Sequence, residues 1–382
     1  MERSLLPNPS PKREGKPVKG MINIHHQASG SIHPVSSIQT VGVIGEGKMG
    51  SSIFYSLLHS PYSLRWIGSP DADVEKLQQH LEKKIHRHLK SGIVGQDEHD
   101  RLLLRTIISS DVSHTANCDL VIEAIPEELT LKRQLFADLD RITKSSCILA
   151  TNSSSFNPSQ LFLDSKRDER IIGMHYFFPV PLKETVELIF PEKTSTKVRS
   201  TTEAFLRQTG KQILLLNESN SFILNKLFLD IQNETYRIVE QGMATVKQID
   251  TLIKEQLFPV GVFDFMDNVG IETMLAAVRN YTSDYPHKDY YQNLINKLQA
   301  LVDAGKFGLK SGEGFFRYTE GKMSDSSSPE PLRPEVAREI TNHLRFTYLN
   351  AAKRFTMQSG CTIDEMNQAI REYLGLEKGP FE

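Results

Sequence analysis

Apolar and polar positions follow two regimes along the chain. From about residue 39 to residue 216, short apolar runs alternate with amphipathic helical patterns. Val41 to Ile44 is a β-branched run, followed by glycines and then Ile53, Leu57 and Leu58 at helical spacing, so strand, tight turn and helix are expected. A second strand, "SLRWIG", follows at once, and residues 73–105 read as a charged helical hairpin. Then come the strand "CDLVIEAI", the amphipathic helix "TLKRQLFADLDRI" and the strand "CILATN". "RIIGMHYF", "TVELIF" and "KQILLL" complete the set of expected strands. Strands that alternate with helices predict a mostly parallel, doubly wound α/β sheet of the Rossmann-like kind.

After Asn217 the pattern turns helical, beginning with the long amphipathic stretch that ends at Gly242. An all-α C-terminal domain is expected over 217–322. It contains a repeat. With single-residue gaps allowed, Gly242 meets Gly360, Thr245 meets Thr362, Ile249 meets Met366, Asp250 meets Asn367 and Phe263 meets Phe381. A helical module is therefore expected to recur, in part, over 334–382, after a linker at 323–333 that includes "DSSSPEP". The first 38 residues, rich in Pro, Ser, Lys, Arg and His, have almost no apolar periodicity and are expected to form a disordered tail, with Met21 an alternative start.

Composition narrows the class. With 39% hydrophobic and 24% charged residues in 382, the chain reads as a soluble globular protein of two or three domains. A net charge of −2 gives no reason to expect nucleic acid or a membrane surface as partner. No apolar run is long enough to span a bilayer. Cys118, Cys147 and Cys361 are few and far apart, with no metal-ligand spacing, which favours a reduced, cytoplasmic setting and no metal.

Gly45, Gly47 and Gly50 form G-x-G-x-x-G between a strand and a helix. The first glycine suits a tight turn, the second a close approach to a pyrophosphate, and the third helix–strand packing. A helix N-terminus there favours phosphates. The alternative is a sterically required turn with no ligand. Such a fingerprint usually closes its second strand with an acid that holds the ribose 2′-hydroxyl. Here the place is taken by Gly68, with Ser69 after it and Asp71 later. Without an acid a 2′-phosphate meets no repulsion, and Arg65 and Ser69 are candidates to accept it. Both NAD and NADP stay open; Asp71 reaching back through a longer loop is the opposite reading.

"VGVIGEGKMG", "DLVIEAIPEELTLKRQLFADLD", "ILATNSSSF", "GMHYFFPVPLKETVELI", "FILNK", "FPVGVFDFMDNVGIET" and "GKFGLKSGEGFF" occur in this order from about residue 39 to 320. Together they resemble 3-hydroxyacyl-CoA dehydrogenases of the β-oxidation type. The resemblance implies a Rossmann domain at 39–216, a helical domain that dimerises, and reversible oxidation of an (S)-3-hydroxyacyl thioester with a nicotinamide cofactor. The acyl carrier would be CoA or an acyl carrier protein. It further implies His175 as catalytic acid/base with Glu187 as its partner, and Ser154 and Asn225 as substrate contacts. Cofactor contacts would fall on Gly45, Gly47, Met49, Gly50, Glu127, Lys132, Ser154 and Lys310, with Gly68 and Ser69 at the ribose end. Read without the resemblance, Ser154 is a turn cap, Asn225 a helix N-cap, Glu127 a helix-start acid, and Lys132 and Lys310 are surface charges.

The chemistry suits these residue types. An imidazole takes and returns a proton near neutral pH, and a carboxylate on its other nitrogen fixes the tautomer. Two strands joined by the turn at Pro179 and Pro181 are expected to bring His175 and Glu187 side by side. The chain departs from the family pattern at Phe178, where an asparagine is usual and an aromatic is expected to fill the space. It also departs at Asn220–Phe222, where Pro-Gly-Phe is usual, and at Gly68. A dehydrogenase of a free hydroxy acid or sugar acid, or a non-catalytic nucleotide-binding scaffold, are the alternatives.

Overall fold

A computed structural model describes residues 37–163, 165, 167–283, 288–325 and 327–382. The expected tail lies outside these residues, except for its last two. The first half alternates strands β1 (Thr40–Ile44), β2 (Ser63–Ile67), β3 (Thr106–Ser109), β4 (Leu120–Glu123), β5 (Ile148–Thr151), β6 (Ile171–Tyr176), β7 (Thr185–Phe190) and β8 (Gln212–Asn217) with six helices. These are α1 (Lys48–Leu57), α2 (Val74–Lys90), α3 (Gln96–Leu104), α4 (Leu129–Ile142), α5 (Pro158–Leu161) and α6 (Thr196–Gln208). The strands form one sheet in the order β3-β2-β1-β4-β5-β6-β7-β8. β1 to β6 run parallel; β7 returns antiparallel to β6, and β8 runs parallel to β7. β4 to β7 are buried at every position, as strands covered on both faces must be.

Two features escape the apolar pattern. β3 is a short edge strand in which Ile107 is exposed, so no apolar run marks it. α6 is the crossover between the parallel strands β7 and β8, begun by Ser195, whose hydroxyl accepts the Val198 N–H.

The helical half comprises α7 (Ile223–Glu240), α8 (Val246–Gln256), α9 (Val262–Val269), α10 (Ile271–Thr282), α11 (Gln292–Asp303), α12 (Pro334–Ser359) and α13 (Ile363–Leu374). α7 is buried almost all round because helices pack on every side of it. Its core continues without a break into Leu344, Phe355, Met366 and Ile370 of α12 and α13. The same local devices occur at both ends of the repeat. Thr245 with Gln248, and Thr362 with Glu365, form capping boxes. The Asp250 carboxylate accepts the N–H groups of Phe263 (3.0 Å) and Asp264 (2.8 Å), and Asn367 Oδ1 accepts that of Phe381 (3.0 Å). Gly261 and Gly379 lie so close to these side chains that a Cβ would come within 2.4 Å of them.

Candidate active site

The glycine turn joins β1 to α1. Gly45 has φ +121°, and a Cβ there would lie 2.4 Å from the Ala124 carbonyl. A Cβ on Gly50 would lie 2.1 Å from the carbonyl of Gly45. Both positions therefore require glycine for the fold itself. Gly47 differs: a Cβ there would meet nothing within 4 Å, and its backbone is extended, at φ −66°. No side chain caps α1, and no acid lies in its first turn. Open space beside Gly47 and an uncapped helix start fit a dinucleotide pyrophosphate. Met49, in the first turn of α1, packs against the core beneath.

At the end of β2, Glu46 reaches across from the glycine turn. Its carboxylate accepts the Ser69 hydroxyl (2.7 Å) and the Ser69 N–H (3.0 Å). Burial pushes this carboxyl up, but the Ser69 bonds outweigh that and hold it below its ordinary value. A Cβ on Gly68 would lie 3.6 Å from Glu46 Oε2 and 2.5 Å from Ala72 Cβ. Glu46 thus sits where the fingerprint's acid belongs, while Gly68 has no room for one. Ser69, a sequence candidate for a 2′-phosphate, is engaged by this carboxylate. The Arg65 guanidinium donates to the carbonyls of Leu64 (3.0 Å) and Arg105 (3.4 Å).

Glu127 organises the loop after β5. Its Oε1 accepts from the hydroxyls of Ser153 (2.5 Å) and Ser155 (2.8 Å) and from the N–H groups of Ser154 and Ser155, both 3.1 Å. Lys132 is 1% exposed and ion-paired with Glu123 (2.5 Å) and Glu127 (3.1 Å). It is a buried strut, which excludes a solvated surface charge. Burial pushes the Glu127 carboxyl up, but Lys132 and the serine hydroxyls hold it below its usual range.

β6 and β7 place His175 directly opposite Glu187 in the antiparallel register. His175 Nδ1 is 2.8 Å from Glu187 Oε2, and both residues are buried. The second oxygen of Glu187 accepts the N–H of Leu224 (3.1 Å) in the first turn of α7. The carboxylate is therefore fixed from both sides, by the imidazole and by a helix start. The connecting turn is held too: Lys211 donates to the carbonyls of Val180 (2.6 Å) and Lys183 (2.7 Å). The imidazole lies between the rings of Phe177, at 4.5 Å, and Phe222, at 5.8 Å. Phe222, just before α7, has φ +57°, a left-handed conformation that is strained for a side chain of this size.

Ser154 and Asn225 meet through a tyrosine that the sequence did not single out. Tyr281 donates to the Ser154 carbonyl (2.7 Å) and accepts from Asn225 Nδ2 (2.8 Å). Asn280 reaches Ser155 Oγ at 3.0 Å. One expectation is not met. Phe178 is 55% exposed and fills no gap left by an asparagine. Lys310 pairs with Glu272 at the start of α10 (2.5 Å), while Asn280 and Tyr281 at its end touch the serine loop. At about 1.5 Å per residue, those ends lie roughly 13 Å apart.

The profile of the 3-hydroxyacyl-CoA dehydrogenase NAD-binding domain matches residues 40–219, and that of the family's C-terminal domain matches 222–318. The chain belongs to the 3-hydroxyacyl-CoA dehydrogenase family. It is 30% identical over 285 residues to a 3-hydroxybutyryl-CoA dehydrogenase of Mycobacterium tuberculosis, covering 74% of this chain and 99% of the relative. It is 31% identical over 296 residues to the human mitochondrial hydroxyacyl-coenzyme A dehydrogenase, covering 74% and 91%. The crystal structure of M. tuberculosis FadB2 aligns with a TM-score of 0.64 at 30% identity, over 74% of this chain and 99% of that one. That of an Escherichia coli 3-hydroxybutyryl-CoA dehydrogenase shares the fold, at a TM-score of 0.71 and 20% identity, over 90% of both chains. As a member of the 3-hydroxyacyl-CoA dehydrogenase family the chain is an oxidoreductase with a Rossmann-like nucleotide-binding domain.

Proposed function

We propose that the chain interconverts (S)-3-hydroxyacyl-CoA and 3-oxoacyl-CoA thioesters, with His175 as acid/base and NAD(H) as the cofactor. The observation that carries this reading is the His175–Glu187 pair. With Nδ1 donating to a carboxylate held by two partners, Nε2 is the nitrogen left to take the alcohol proton on oxidation and return it on reduction. Glu187 stabilises the imidazolium that forms in between. Phe177 and Phe222 pack against the ring at steep interplanar angles and help to hold it in place. Asn225 and Ser154, tied together through Tyr281, are arranged to orient the substrate oxygen. Gly45, Gly47, Gly50 and the start of α1 would hold the pyrophosphate, and the bound nicotinamide supplies the hydride acceptor.

CoA is favoured over an acyl carrier protein because the curated relatives described above are named for CoA-linked substrates. NAD(H) is favoured over NADP(H) because the Glu46 carboxylate stands at the ribose end. Free thiols at Cys118, Cys147 and Cys361 suit a reducing, cytoplasmic setting. The test follows nicotinamide absorbance on purified protein with acetoacetyl-CoA, longer 3-oxoacyl-CoAs and carrier-linked analogues, with NADH or NADPH. Turnover of a CoA thioester with NADH is expected. Tight dinucleotide binding with no turnover of any thioester overturns the proposal.

A further inference from the structure

Asn225 is occupied at both ends of its amide. Its Nδ2 donates to Tyr281, and its Oδ1 accepts the hydroxyl of Tyr373 at 2.9 Å, 148 residues away. The proton order along this chain is fixed by its last member. The Ser154 carbonyl can only accept, so Tyr281 donates to it and must itself accept from the Asn225 amide. The amide oxygen therefore faces Tyr373, which donates. Burial pushes both phenols above their usual range, so both remain protonated as this order requires. One N–H of Asn225 is left beyond this chain.

Tyr373 lies on α13, in the partial second copy of the helical module and beyond the residues matched by the family's C-terminal domain. In the first copy the matching position is the exposed Gln256, so the repeat by itself does not call for a tyrosine here. α13 also grips the strand that carries Glu187. The Glu372 carboxylate accepts the N–H groups of Glu184 (3.0 Å) and Thr185 (2.7 Å), and the Glu372 carbonyl accepts from Lys183. The Tyr373 ring meets Phe177 edge-on at 5.3 Å, and Phe177 meets His175 at 4.5 Å.

We infer that Tyr373 is a positioning residue for the reaction: from the second helical copy it sets the Asn225 amide so that its remaining N–H points to the substrate oxygen. This rests on the function proposed above. A buried phenol that merely needed a partner would have the same bond, and the difference is read in kinetics.

Tyr373→Phe keeps the ring and removes only the hydroxyl. In the full chain, kcat/KM for acetoacetyl-CoA is expected to fall about five- to twentyfold, as for loss of one orienting hydrogen bond, with the KM for NADH and the melting temperature unchanged. In an Asn225→Ala background the same change should have no further effect, because the amide it positions is gone. Calorimetric titration of acetoacetyl-CoA into NAD⁺-loaded wild type and variant reads the same loss without turnover. Kinetics of Tyr373→Phe within twofold of wild type, or losses that multiply in the double variant, overturn the inference. Absent wild-type turnover sinks the reaction instead; wild-type turnover with an indifferent Tyr373→Phe sinks this inference alone.

Discussion

The two ends of the site are made of different materials. The dinucleotide end is backbone: three glycines within six residues, an open flank at Gly47 and an uncapped helix start. The proposed proton-transfer end is drawn from six places: the side chains of His175, Glu187, Asn225, Tyr281 and Tyr373 and the backbone carbonyl of Ser154. Backbone geometry is written locally, so that end has a spacing that survives as a motif. The side-chain end exists only once the sheet has turned back on itself between β6 and β7 and the helical half has packed against it.

That contrast predicts large losses from single atoms at the proton end, with the fold intact. His175→Ala should lower kcat by about 10²–10⁴-fold, the usual contribution of a positioned acid/base, with dinucleotide affinity unchanged. Glu187→Gln should come next. A single amide oxygen cannot serve both the imidazole Nδ1–H and the Leu224 N–H that the two carboxylate oxygens now accept. Turnover that His175→Ala leaves intact, followed by absorbance, removes the proposed base and with it the distinction between the two ends.

At the backbone end the second and third glycines should separate fold from ligand. Gly50→Ala puts a Cβ 2.1 Å from the Gly45 carbonyl, a clash with backbone that cannot swing away. Destabilisation of about 1–3 kcal/mol is expected in thermal or denaturant unfolding. Gly47→Ala meets nothing within 4 Å, and its φ of −66° suits alanine. Stability should be unchanged while dinucleotide affinity, measured by fluorescence titration, falls at least about tenfold, because the added methyl occupies the ligand's side of the turn. Equal affinity in Gly47→Ala and wild type would show that the open flank is not where the pyrophosphate lies.

The same division explains what was legible in the chain. The strands β4 to β7 are largely apolar runs, and the glycine turn has its fixed spacing. Both the sheet and the presence of a nucleotide-binding domain could therefore be read from one sequence. β3 could not, since it is a four-residue edge strand with no fully buried position. His175 and Glu187 were readable as a pair through the family resemblance and the proline turn between them. The burial of Lys132 had no signal, because nothing in its neighbourhood announces that Glu123 and Glu127 close over it. Tyr281 and Tyr373 carried no signal: a buried tyrosine on an amphipathic helix looks like core until its hydroxyl is seen to reach Asn225. Glu46 did have one, an acid inside the glycine motif itself, where attention falls on the glycines.

Glu46 is the point at which the backbone end acquires a side chain with a choice to make, and it yields the smallest expected effect. Its carboxylate lies beside Gly68 and is fixed by Ser69, and in the proposed reading it presents negative charge to the ribose 2′-substituent. That reading favours a hydroxyl there over a phosphate. Glu46→Gln removes the charge and keeps the length, so the NADH-over-NADPH preference in kcat/KM should fall by about tenfold, a difference of about 1.4 kcal/mol, comparable to one surface-level charge interaction. Gly68→Asp is a poor probe of the same question, because its Cβ would collide with Ala72 at 2.5 Å and disturb the turn before any charge is felt. Ser69→Ala frees the carboxylate without deleting it and should move the ratio less than Glu46→Gln does. If Glu46→Gln leaves the ratio where it was, the carboxylate reads no ribose. Cofactor choice then lies elsewhere on the β2 turn, and the backbone end reads the pyrophosphate alone.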